Sequence, residues 1–332
     1  MAFKVAASPS RPGYEFEYER EALDPIGAEL VEVIWENEAQ YTAAVADLDA
    51  IMIGRGVSIT PNVLKGLRNV KVIINGGVGV DRIDVDAATE AGIPVVNVPD
   101  VWLNEVADHA VLLLLAVARK LKYAAGMAHS GRWSQVHSGL APVPRLQGRT
   151  LGLVSFGSIA RNVAKRAQAF GLNVIAFDPY VSAEVMAEHG VGHRADLNAM
   201  LGEADFVSAH APHTKGTHHL LSTAQFAAMK PTAIFVNTGR GRVVDEPALI
   251  AALQEGKIAA AGLDVLEDEP PASDNPLLTM DNVIVTPHTA FYSDEAFVDS
   301  RRRVGQEVAA ILSGRRPRNC VNREVLDRTS LT

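Results

Sequence analysis

Cysteine is nearly absent from this chain of 332 residues, which contains only Cys320. A single cysteine excludes an internal disulfide and a thiolate cage for a metal, and it is typical of a reducing cytoplasm. Long apolar runs are missing too: the longest, AVLLLLAVA at 110–118, is too short to span a bilayer, and the N-terminus has no basic segment followed by an apolar run. We therefore expect a cytoplasmic protein without a membrane partner.

Positive charge is also in short supply, with 31 Lys and Arg against 39 Asp and Glu and a net charge of −8. No dense basic stripe is present, which argues against nucleic acid as a partner. The basic cluster SRRRV at 300–304 lies in a helical pattern, and we interpret it as a solvated helix face. Apolar residues make up 48% of the chain, and its length favours two domains.

Short apolar runs alternate with helical patterns along the chain, as in a parallel sheet covered by helices on both faces. A first series ends near Pro99 and comprises FKVAAS, ELVEVIW, AIMIGR, VKVIING and PVVNVP. One long helical pattern over 103–128 and a connector, GLAPVPRLQGRT, precede a second series: TLGLVSF, NVIAFD, FVSAHA, AIFVNTG, AAGLDV and VIVTPH. A last helical pattern over 294–313 could cross back to the first unit, and spacing alone leaves this open.

The turn after TLGLVSF is close to a dinucleotide-binding loop, although glycine is missing from two of three positions. Gly157 supplies the residue without a Cβ where the backbone would meet a pyrophosphate, and Ala160 is small enough for helix–strand packing. Ser155 replaces the first glycine, which is tolerable only if its backbone stays in a region open to residues with a side chain. In structural terms alone, this could be a glycine-bearing turn of any doubly wound sheet.

Asp178 follows the next strand and is placed to accept hydrogen bonds from the adenosine ribose hydroxyls. A carboxylate at this position repels a 2′-phosphate, which favours NAD over NADP. The alternative is that Asp178 forms only a turn before Pro179.

Three strand ends carry ionisable groups that suit the reduction of a carbonyl by a nicotinamide: Arg240, Glu269 and His288. Such a reaction needs a proton donor to the carbonyl oxygen and a cation that holds an anionic substrate. His288 can supply the proton, Arg240 the cation, and Glu269 can stabilise the protonated imidazole and fix its tautomer. Each also has a purely structural interpretation: His288 could be a satisfied strand-end imidazole, Arg240 could cap a sheet edge, and Glu269 could face solvent.

Four segments in this order and spacing resemble the D-isomer-specific 2-hydroxyacid dehydrogenase family: GLVSFGSIA…FDP, VNTGRGRVVDEPAL, GLDVLEDEP and TPHTAFYS. NGGVGVDRIDVDAATEAGIPVVNVPD and EVADHAVLLLLA resemble its first domain and interdomain helix, so that the likeness covers nearly the whole chain. The resemblance implies an α/β fold of two doubly wound parallel-sheet domains, a Rossmann NAD-binding domain at 103–290 inserted into a flavodoxin-like substrate-binding domain at 1–102 and 291–332. It also implies NAD-dependent interconversion of a small 2-oxo acid and a D-2-hydroxy acid.

The same resemblance implies site residues. Arg240 would anchor the substrate carboxylate and carbonyl, Glu269 would be the partner of the histidine, and His288 the acid and base. Further implied substrate contacts are the backbone amides of Val78 and Gly79 and the side chains of Arg55 and Phe291. The implied cofactor contacts are Ser155, Phe156, Gly157, Ser158, Ile159, Asp178, His210, Ala211, Pro212, Thr214, Thr238, Gly239, Asp264 at the nicotinamide carboxamide, and His288.

TPHTAFYSDEA and the ending GRRPRNCVNREVL resemble more narrowly the C-terminal-binding-protein-like (CtBP-like) group, which includes bacterial dehydrogenases and transcriptional corepressors. Phe291 stands where the corepressors have a tryptophan. The alternative function is therefore an NAD(H)-sensing binding protein with little or no turnover. The family further implies a homodimer through the NAD-binding domain, and the apolar helix at 110–118 could either form that surface or be buried within one subunit.

Three histidines, His213, His218 and His219, lie close together in the sequence HAPHTKGTHH. They have neither the four-residue helical spacing of a metal-binding pair nor nearby acids. We therefore expect no metal site.

Overall fold

The structure is a computed structural model that describes residues 2–8, 14–54 and 56–332. The chain forms two compact units, one made of Met1–Trp102 with Ser293–Thr332 and the other of Leu103–Tyr292. None of the described helices is both long enough and apolar enough to cross a bilayer.

The first unit is built on a five-stranded parallel sheet in the order β2-β1-β3-β4-β5. Its strands are β1 Lys4–Ala7, β2 Glu29–Glu32, β3 Ala50–Ile53, β4 Val72–Asn75 and β5 Val95–Asn97. Its first helices are α1 Glu17–Leu23, α2 Glu38–Val45, α3 Pro61–Gly66 and α4 Val85–Glu90. Alternate strand residues enter separate cores on the two faces, with Val5 in one and Ala6 in the other, which explains why the strands are continuously apolar.

The second unit is built on a seven-stranded parallel sheet in the order β12-β11-β10-β9-β6-β7-β8. Its strands are β6 Thr150–Val154, β7 Asn173–Phe177, β8 Gly192–His193, β9 Phe206–Ala209, β10 Ile234–Asn237, β11 Ala260–Leu263 and β12 Val283–Val285. Its helices are α5 Leu103–Ala118, α6 Leu121–His129, α7 His137–Leu140, α8 Ser158–Ala169, α9 Ala183–Glu188, α10 Leu197–Glu203, α11 Thr223–Ala228 and α12 Glu246–Gln254. The order reverses beside β6, as in dinucleotide-binding sheets, whereas the first sheet has the flavodoxin-like order. The predicted fold class is confirmed.

The long helical pattern at 103–128 is two helices rather than one. Lys120 has a left-handed backbone with φ of 51°, which ends α5 and begins α6. Nine residues of α5 are buried, and seven of them, including Leu113 and Leu114, belong to a core of the second unit. Leu112 is the large apolar residue of 110–118 that stays exposed. Burial within the unit therefore accounts for most of this apolar run.

The last helix, α13 Asp294–Leu312, belongs to the first unit and packs on α1, β3 and β4. The chain therefore returns to the first unit after Tyr292, a possibility that the sequence left open. The interpretation of 300–304 as a solvated face is wrong for Arg301, whose guanidinium lies over the rings of Tyr14 and Phe297 and 3.3 Å from the buried carboxylate of Glu19. An aromatic enclosure and a buried acid both hold this arginine away from water.

Candidate active site

The loop after β6 holds Ser155 in the left-handed region, with φ of 76°. The condition under which a serine would be tolerable here, an ordinary backbone conformation, is therefore not met. The Ser155 amide donates to the carbonyl oxygen of Phe177 at 2.8 Å, and its Oγ donates to Oδ2 of Asp178 at 3.1 Å. These two hydrogen bonds hold the serine in a conformation for which glycine is the usual residue.

Gly157 is the N-cap of α8, and a Cβ placed on it would meet no protein atom within 4 Å. The helix N-terminus is therefore open to a ligand at this position, and a backbone that can be approached closely suits a pyrophosphate. The neighbouring Ser158 is exposed and Ile159 half-buried, whereas Phe156 is fully buried, so that only its backbone can reach a ligand.

Asp178 is 8% exposed and organises this loop. Its Oδ2 accepts hydrogen bonds from the Phe156 amide at 2.8 Å and from Ser155, and its Oδ1 accepts from the Tyr180 amide at 2.8 Å. Because a carboxylate offers about four acceptor positions, one position remains for a ribose hydroxyl. The structure thus gives Asp178 a local role in the loop alongside its predicted role in cofactor binding.

The segments after β9 and β10 pack side by side. A Cβ on Gly239 would lie 3.3 Å from the carbonyl oxygen of Ala209 and 3.4 Å from that of Ala211. The implied cofactor contacts differ in exposure: Ala211 is buried, His210 and Gly239 are partly buried, and Pro212 and Thr214 are exposed. Burial lowers the pKa of His210 to about 4, so its imidazole is neutral at pH 7, and its Nε2 lies 2.9 Å from Ser208 Oγ.

Thr238 is 7% exposed, and no atom of the described residues forms a hydrogen bond with its Oγ1. A buried hydroxyl without a partner is uncommon. An orphaned polar atom beside Gly239, together with the open backbone at Gly157, fits the amide and phosphate groups of a dinucleotide.

Arg240 begins the turn after β10, and the buried side chain of Asn237 shapes that turn. Asn237 Nδ2 donates to the Arg240 carbonyl oxygen at 3.1 Å, and its Oδ1 accepts from the Gly239 amide at 3.0 Å. A Cβ on Gly241 would overlap the carbonyl group of Leu266, so glycine is needed to bring this turn against the segment that follows β11.

Glu269 and His288 form the central pair of the site. Glu269 Oε2 lies 2.6 Å from His288 Nδ1, and Glu269 Oε1 accepts from the Leu266 amide at 3.2 Å. Burial alone would raise the pKa of Glu269, but the hydrogen bond and charge of His288, the Leu266 amide and the charge of Arg240 together lower it. The carboxylate is therefore ionised at neutral pH, and the imidazole, 45% exposed, remains accessible.

Asp264 fixes the segment that carries His288. Its Oδ1 accepts from Thr286 Oγ1 at 2.6 Å and from the Thr289 amide at 2.9 Å, its Oδ2 accepts from the Ala290 amide at 2.9 Å, and its carbonyl oxygen accepts from the His288 amide at 2.8 Å. His288 has a left-handed backbone with φ of 53°, which these bonds maintain. The Asp264 side chain is only 1% exposed, and a carboxamide could reach only the remaining acceptor position of Oδ2.

The implied substrate contacts Val78 and Gly79 lie in the first unit, after β4. The carbonyl oxygen of Val78 accepts from Asn97 Nδ2 and that of Gly79 from Asn75 Nδ2, each at 2.5 Å. Neither amide of the pair donates to any atom in the described part of the chain. Two half-buried N–H groups that have no acceptor among the described residues suit an anion.

The two remaining predicted substrate contacts are Phe291 and Arg55. Phe291 places its ring 6.2 Å from that of His288, edge to face. Arg55 lies outside the described residues.

The histidines of 213–219 do have an acidic neighbour, contrary to the expectation from the sequence. His219 Nε2 lies 2.7 Å from Glu267 Oε1, and the rings of His218 and His219 are stacked. Among the residues described, no group of three or more His, Cys, Asp or Glu could hold a metal ion. The absence of a metal site stays a prediction.

Sequence reasoning missed Asn237, Thr286 and the two asparagines Asn75 and Asn97. It also missed His109 of α5, whose Nε2 lies 2.9 Å from Thr286 Oγ1. The signal that was available is position, since Asn75, Asn97 and Asn237 are the last residues of parallel strands, where ligand sites of open sheets are found.

The chain is similar to known proteins over most of its length. It is 40% identical over 90% of its length to a D-3-phosphoglycerate dehydrogenase of Methanocaldococcus jannaschii, of which it spans 58%. It is 37% identical over 94% of its length to a glyoxylate reductase of Thermococcus litoralis, of which it spans 92%. Among solved structures, D-lactate dehydrogenase of Aquifex aeolicus, complexed with NAD and lactic acid, superposes with a TM-score of 0.83 at 29% identity, covering 98% of each chain.

A family comparison agrees with these relatives. Residues 111–290 match the NAD binding domain of the D-isomer specific 2-hydroxyacid dehydrogenases. The narrower likeness to the CtBP-like group stays a prediction. The chain belongs to the D-isomer specific 2-hydroxyacid dehydrogenase family, and its second unit contains the family's NAD binding domain.

Proposed function

We propose that this protein is an NAD(H)-dependent dehydrogenase that interconverts a small 2-oxo acid and the corresponding D-2-hydroxy acid. The observation that carries the proposal is the contact between Glu269 and His288, with the charge of Arg240 acting on the same carboxylate. A paired imidazole, a nearby guanidinium and a dinucleotide-type loop in one unit are the groups that this reaction requires.

His288 is the proton donor and acceptor. In reduction, its imidazolium gives a proton to the carbonyl oxygen of the substrate, and Glu269 stabilises the charged ring and holds the proton of Nδ1, leaving Nε2 for the substrate. When bound, NAD(H) supplies or accepts the hydride at C2. In oxidation, the neutral imidazole accepts the hydroxyl proton.

Arg240 binds the substrate carboxylate and polarises its carbonyl group. A planar guanidinium can form two parallel hydrogen bonds with a carboxylate, which orients the acid as well as holding it. The amides of Val78 and Gly79, which have no acceptor in the described ranges, are proposed to bind a carboxylate oxygen, and Phe291 to limit the size of the acid. Arg55 stays a candidate contact from the sequence alone.

The second unit has the features that NAD would need. Gly157 and the α8 N-terminus suit the pyrophosphate, Asp178 the adenosine ribose, and the orphaned Thr238 hydroxyl the nicotinamide half. Because Asp178 has both oxygens held by the loop, it cannot turn away from a 2′-phosphate, which supports NAD over NADP. The carboxamide contact of Asp264 is proposed through its remaining acceptor position.

We further propose a cytoplasmic homodimer formed through the second unit. The single cysteine supports the compartment. The segment around α6 and α7 supports the dimer, because it buries little of its own apolar surface: Leu121 is 53% and Trp133 77% exposed.

The test is the loss of NADH, and then NADPH, absorbance at 340 nm with a panel of 2-oxo acids that includes glyoxylate, hydroxypyruvate, phosphohydroxypyruvate and bulkier acids. We expect turnover with NADH, and a loss of about 10³-fold in kcat for His288→Asn, because Asn tolerates the left-handed backbone but cannot transfer the proton. His129→Asn, at the exposed end of α6, is the control.

Tight NADH binding without turnover of any acid would contradict the proposal. That result would favour instead the NAD(H)-sensing role of the CtBP-like corepressors, which a stoichiometric pulldown with short peptides would then examine.

A further inference from the structure

The segment 76–80, here called the anion loop, has every one of its carbonyl oxygens held within the first unit. The donors are Trp102 Nε1 and Ser300 Oγ to Gly76, the Val98 amide to Gly77, Asn97 Nδ2 to Val78, Asn75 Nδ2 to Gly79, and the Ile83 amide to Val80. None of the five N–H groups of the loop donates to an atom of the chain as described. The carbonyl oxygens of the loop are thus bound to the protein, whereas its N–H groups remain available to a ligand.

Peptide geometry links these two facts. In a planar trans peptide, the carbonyl of one residue and the N–H of the next point in opposite directions. Holding the Val78 carbonyl with Asn97 therefore fixes the direction of the Gly79 N–H, and holding the Gly79 carbonyl with Asn75 fixes the Val80 N–H. The Val98 amide does the same for the Val78 N–H through the Gly77 carbonyl.

Asparagine suits this task because its amide donates without bringing a charge. β4 and β5 end at Asn75 and Asn97, so the backbone hydrogen bonds of the sheet stop there. Beyond that point the side-chain amides of these asparagines act as the donors, in place of backbone N–H groups. The orientation of Asn97 is fixed in turn, because its Oδ1 accepts from Nδ2 of Asn319. A flipped amide would place oxygen against the Val78 carbonyl.

We propose that Asn97 and Asn75 are positioning residues that turn the N–H groups of Gly79 and Val80 towards the substrate carboxylate. The proposal rests on the proposed function, since it assigns the anion of that reaction to this loop. It adds a third donor, Val80, to the two amides named above, and it gives the two asparagines a role that acts only through the backbone.

The experiment compares Asn97→Ala and Asn75→Ala with a matched control, Asn69→Ala. Asn69 lies in the same unit and donates its Nδ2 to a backbone carbonyl, that of Asp47, but at an exposed site. We expect Asn97→Ala to raise KM for the best 2-oxo acid about tenfold, with a smaller effect of Asn75→Ala and none of the control. The Kd for NADH should not change in any of them.

A readout specific to the anion separates positioning from mere stability. The preference of the enzyme for an acid over its methyl ester, such as pyruvate over methyl pyruvate, should fall about tenfold in Asn97→Ala, because the ester lacks the charge that the N–H groups bind. An equal loss for acid and ester, or an unchanged KM in a folded variant, would overturn the proposal.

Two further measurements keep the result decisive. Asn97→Asp has the same shape, cannot donate and adds a negative charge, so it should raise KM more than Ala does; if neither variant folds, Asn75→Ala and Asn75→Asp decide the question. If the wild type reduces no acid, calorimetric titration of the NADH-loaded protein with oxamate tests the loop without turnover. Oxamate binding that Asn97→Ala weakens supports the loop although the proposed function fails, and an absence of oxamate binding to the wild type overturns the loop itself.

Discussion

His288 Nδ1 and Glu269 Oε2 lie 2.6 Å apart, and Glu269 is also held by the Leu266 amide. The pKa of this carboxyl is lowered, since its hydrogen bonds and the charges of His288 and Arg240 outweigh the opposing effect of burial. A lowered pKa means that the favourable contribution of the carboxylate is present above its ordinary value of about 4.3 and is lost as the pH falls through the folded-state value. The pair is therefore intact across the neutral range.

Replacing Glu269 by Gln should lower kcat/KM about 10- to 100-fold at pH 7. A neutral amide neither stabilises the protonated His288 ring nor selects its tautomer, so the alkaline limb of the pH–rate profile for reduction should also move to lower pH. Glu267→Gln is the matched control, because it removes a second Glu–His contact, that with His219 at 2.7 Å, in the same segment. Equal losses in both variants would contradict a specific role for Glu269.

Replacing Arg240 by Lys should raise KM for the acid and lower kcat/KM by about 10²-fold. Lysine keeps the charge but lacks the planar fork that orients a carboxylate, so we expect kcat to fall as well. Arg242 is a nearby arginine whose side chain is 58% exposed, with Nη2 3.9 Å from Asp268 Oδ1. Arg242→Lys should therefore leave both constants unchanged. Steady-state kinetics with one 2-oxo acid suffices, and an unchanged kcat/KM for Arg240→Lys would remove the assignment.

Two substitutions of Ser155 should separate backbone strain from its hydrogen bond to Asp178. Ser155→Ala keeps a Cβ at φ of 76° and loses the Oγ donor, whereas Ser155→Gly loses the donor but relieves the strain. We expect Ala to be less stable than Gly by about 1 kcal/mol, measured by denaturant unfolding. Equal stability of the two variants would show that the left-handed conformation is not strained here.

The pH dependence of stability should contain a contribution from His210. Burial lowers its pKa from 6.5 to about 4, so between these values the unfolded chain binds one more proton than the folded chain. As the pH is lowered through this window, the free energy of unfolding should therefore decrease, by at most about 1.4 kcal/mol per pH unit.

Thermal melts of His210→Asn between pH 7 and pH 4 should accordingly show a shallower decline than the wild type. His129→Asn should follow the wild-type decline, because that side chain is exposed. If the stability of His210→Asn declined with falling pH as steeply as that of the wild type, other groups would be responsible for the loss of stability in acid.

The parts that the sequence predicted are those that depend on local pattern. Continuous apolar strands between helices indicated parallel sheets, and the motifs placed His288, Glu269 and Arg240 at strand ends of one sheet. The break at Lys120 escaped prediction, because a left-handed residue without a glycine leaves no mark in helical periodicity. Arg301 was misassigned because its partners, Glu19 and Tyr14, lie almost three hundred positions away in the chain.

The side-chain hydrogen bonds of Ser155 and Asp264 were likewise beyond reach of the sequence. Whether an acid contacts a ligand, a loop or both depends on backbone directions that residue types do not specify. Asp264 illustrates this, since its motif implied a ligand contact, whereas the structure gives its oxygens to Thr286, Thr289 and Ala290.

The arrangement of the anion loop bears on how this protein could change during evolution. The proposed recognition by the N–H groups of residues 78–80 would use atoms that every amino acid except proline possesses, so substitutions at these positions could reshape the pocket while a carboxylate stays bound. The side chain of Val78 is then free to vary with the rest of the acid. A single scaffold can in this way acquire new substrates by point mutation, provided that Asn75 and Asn97 are retained.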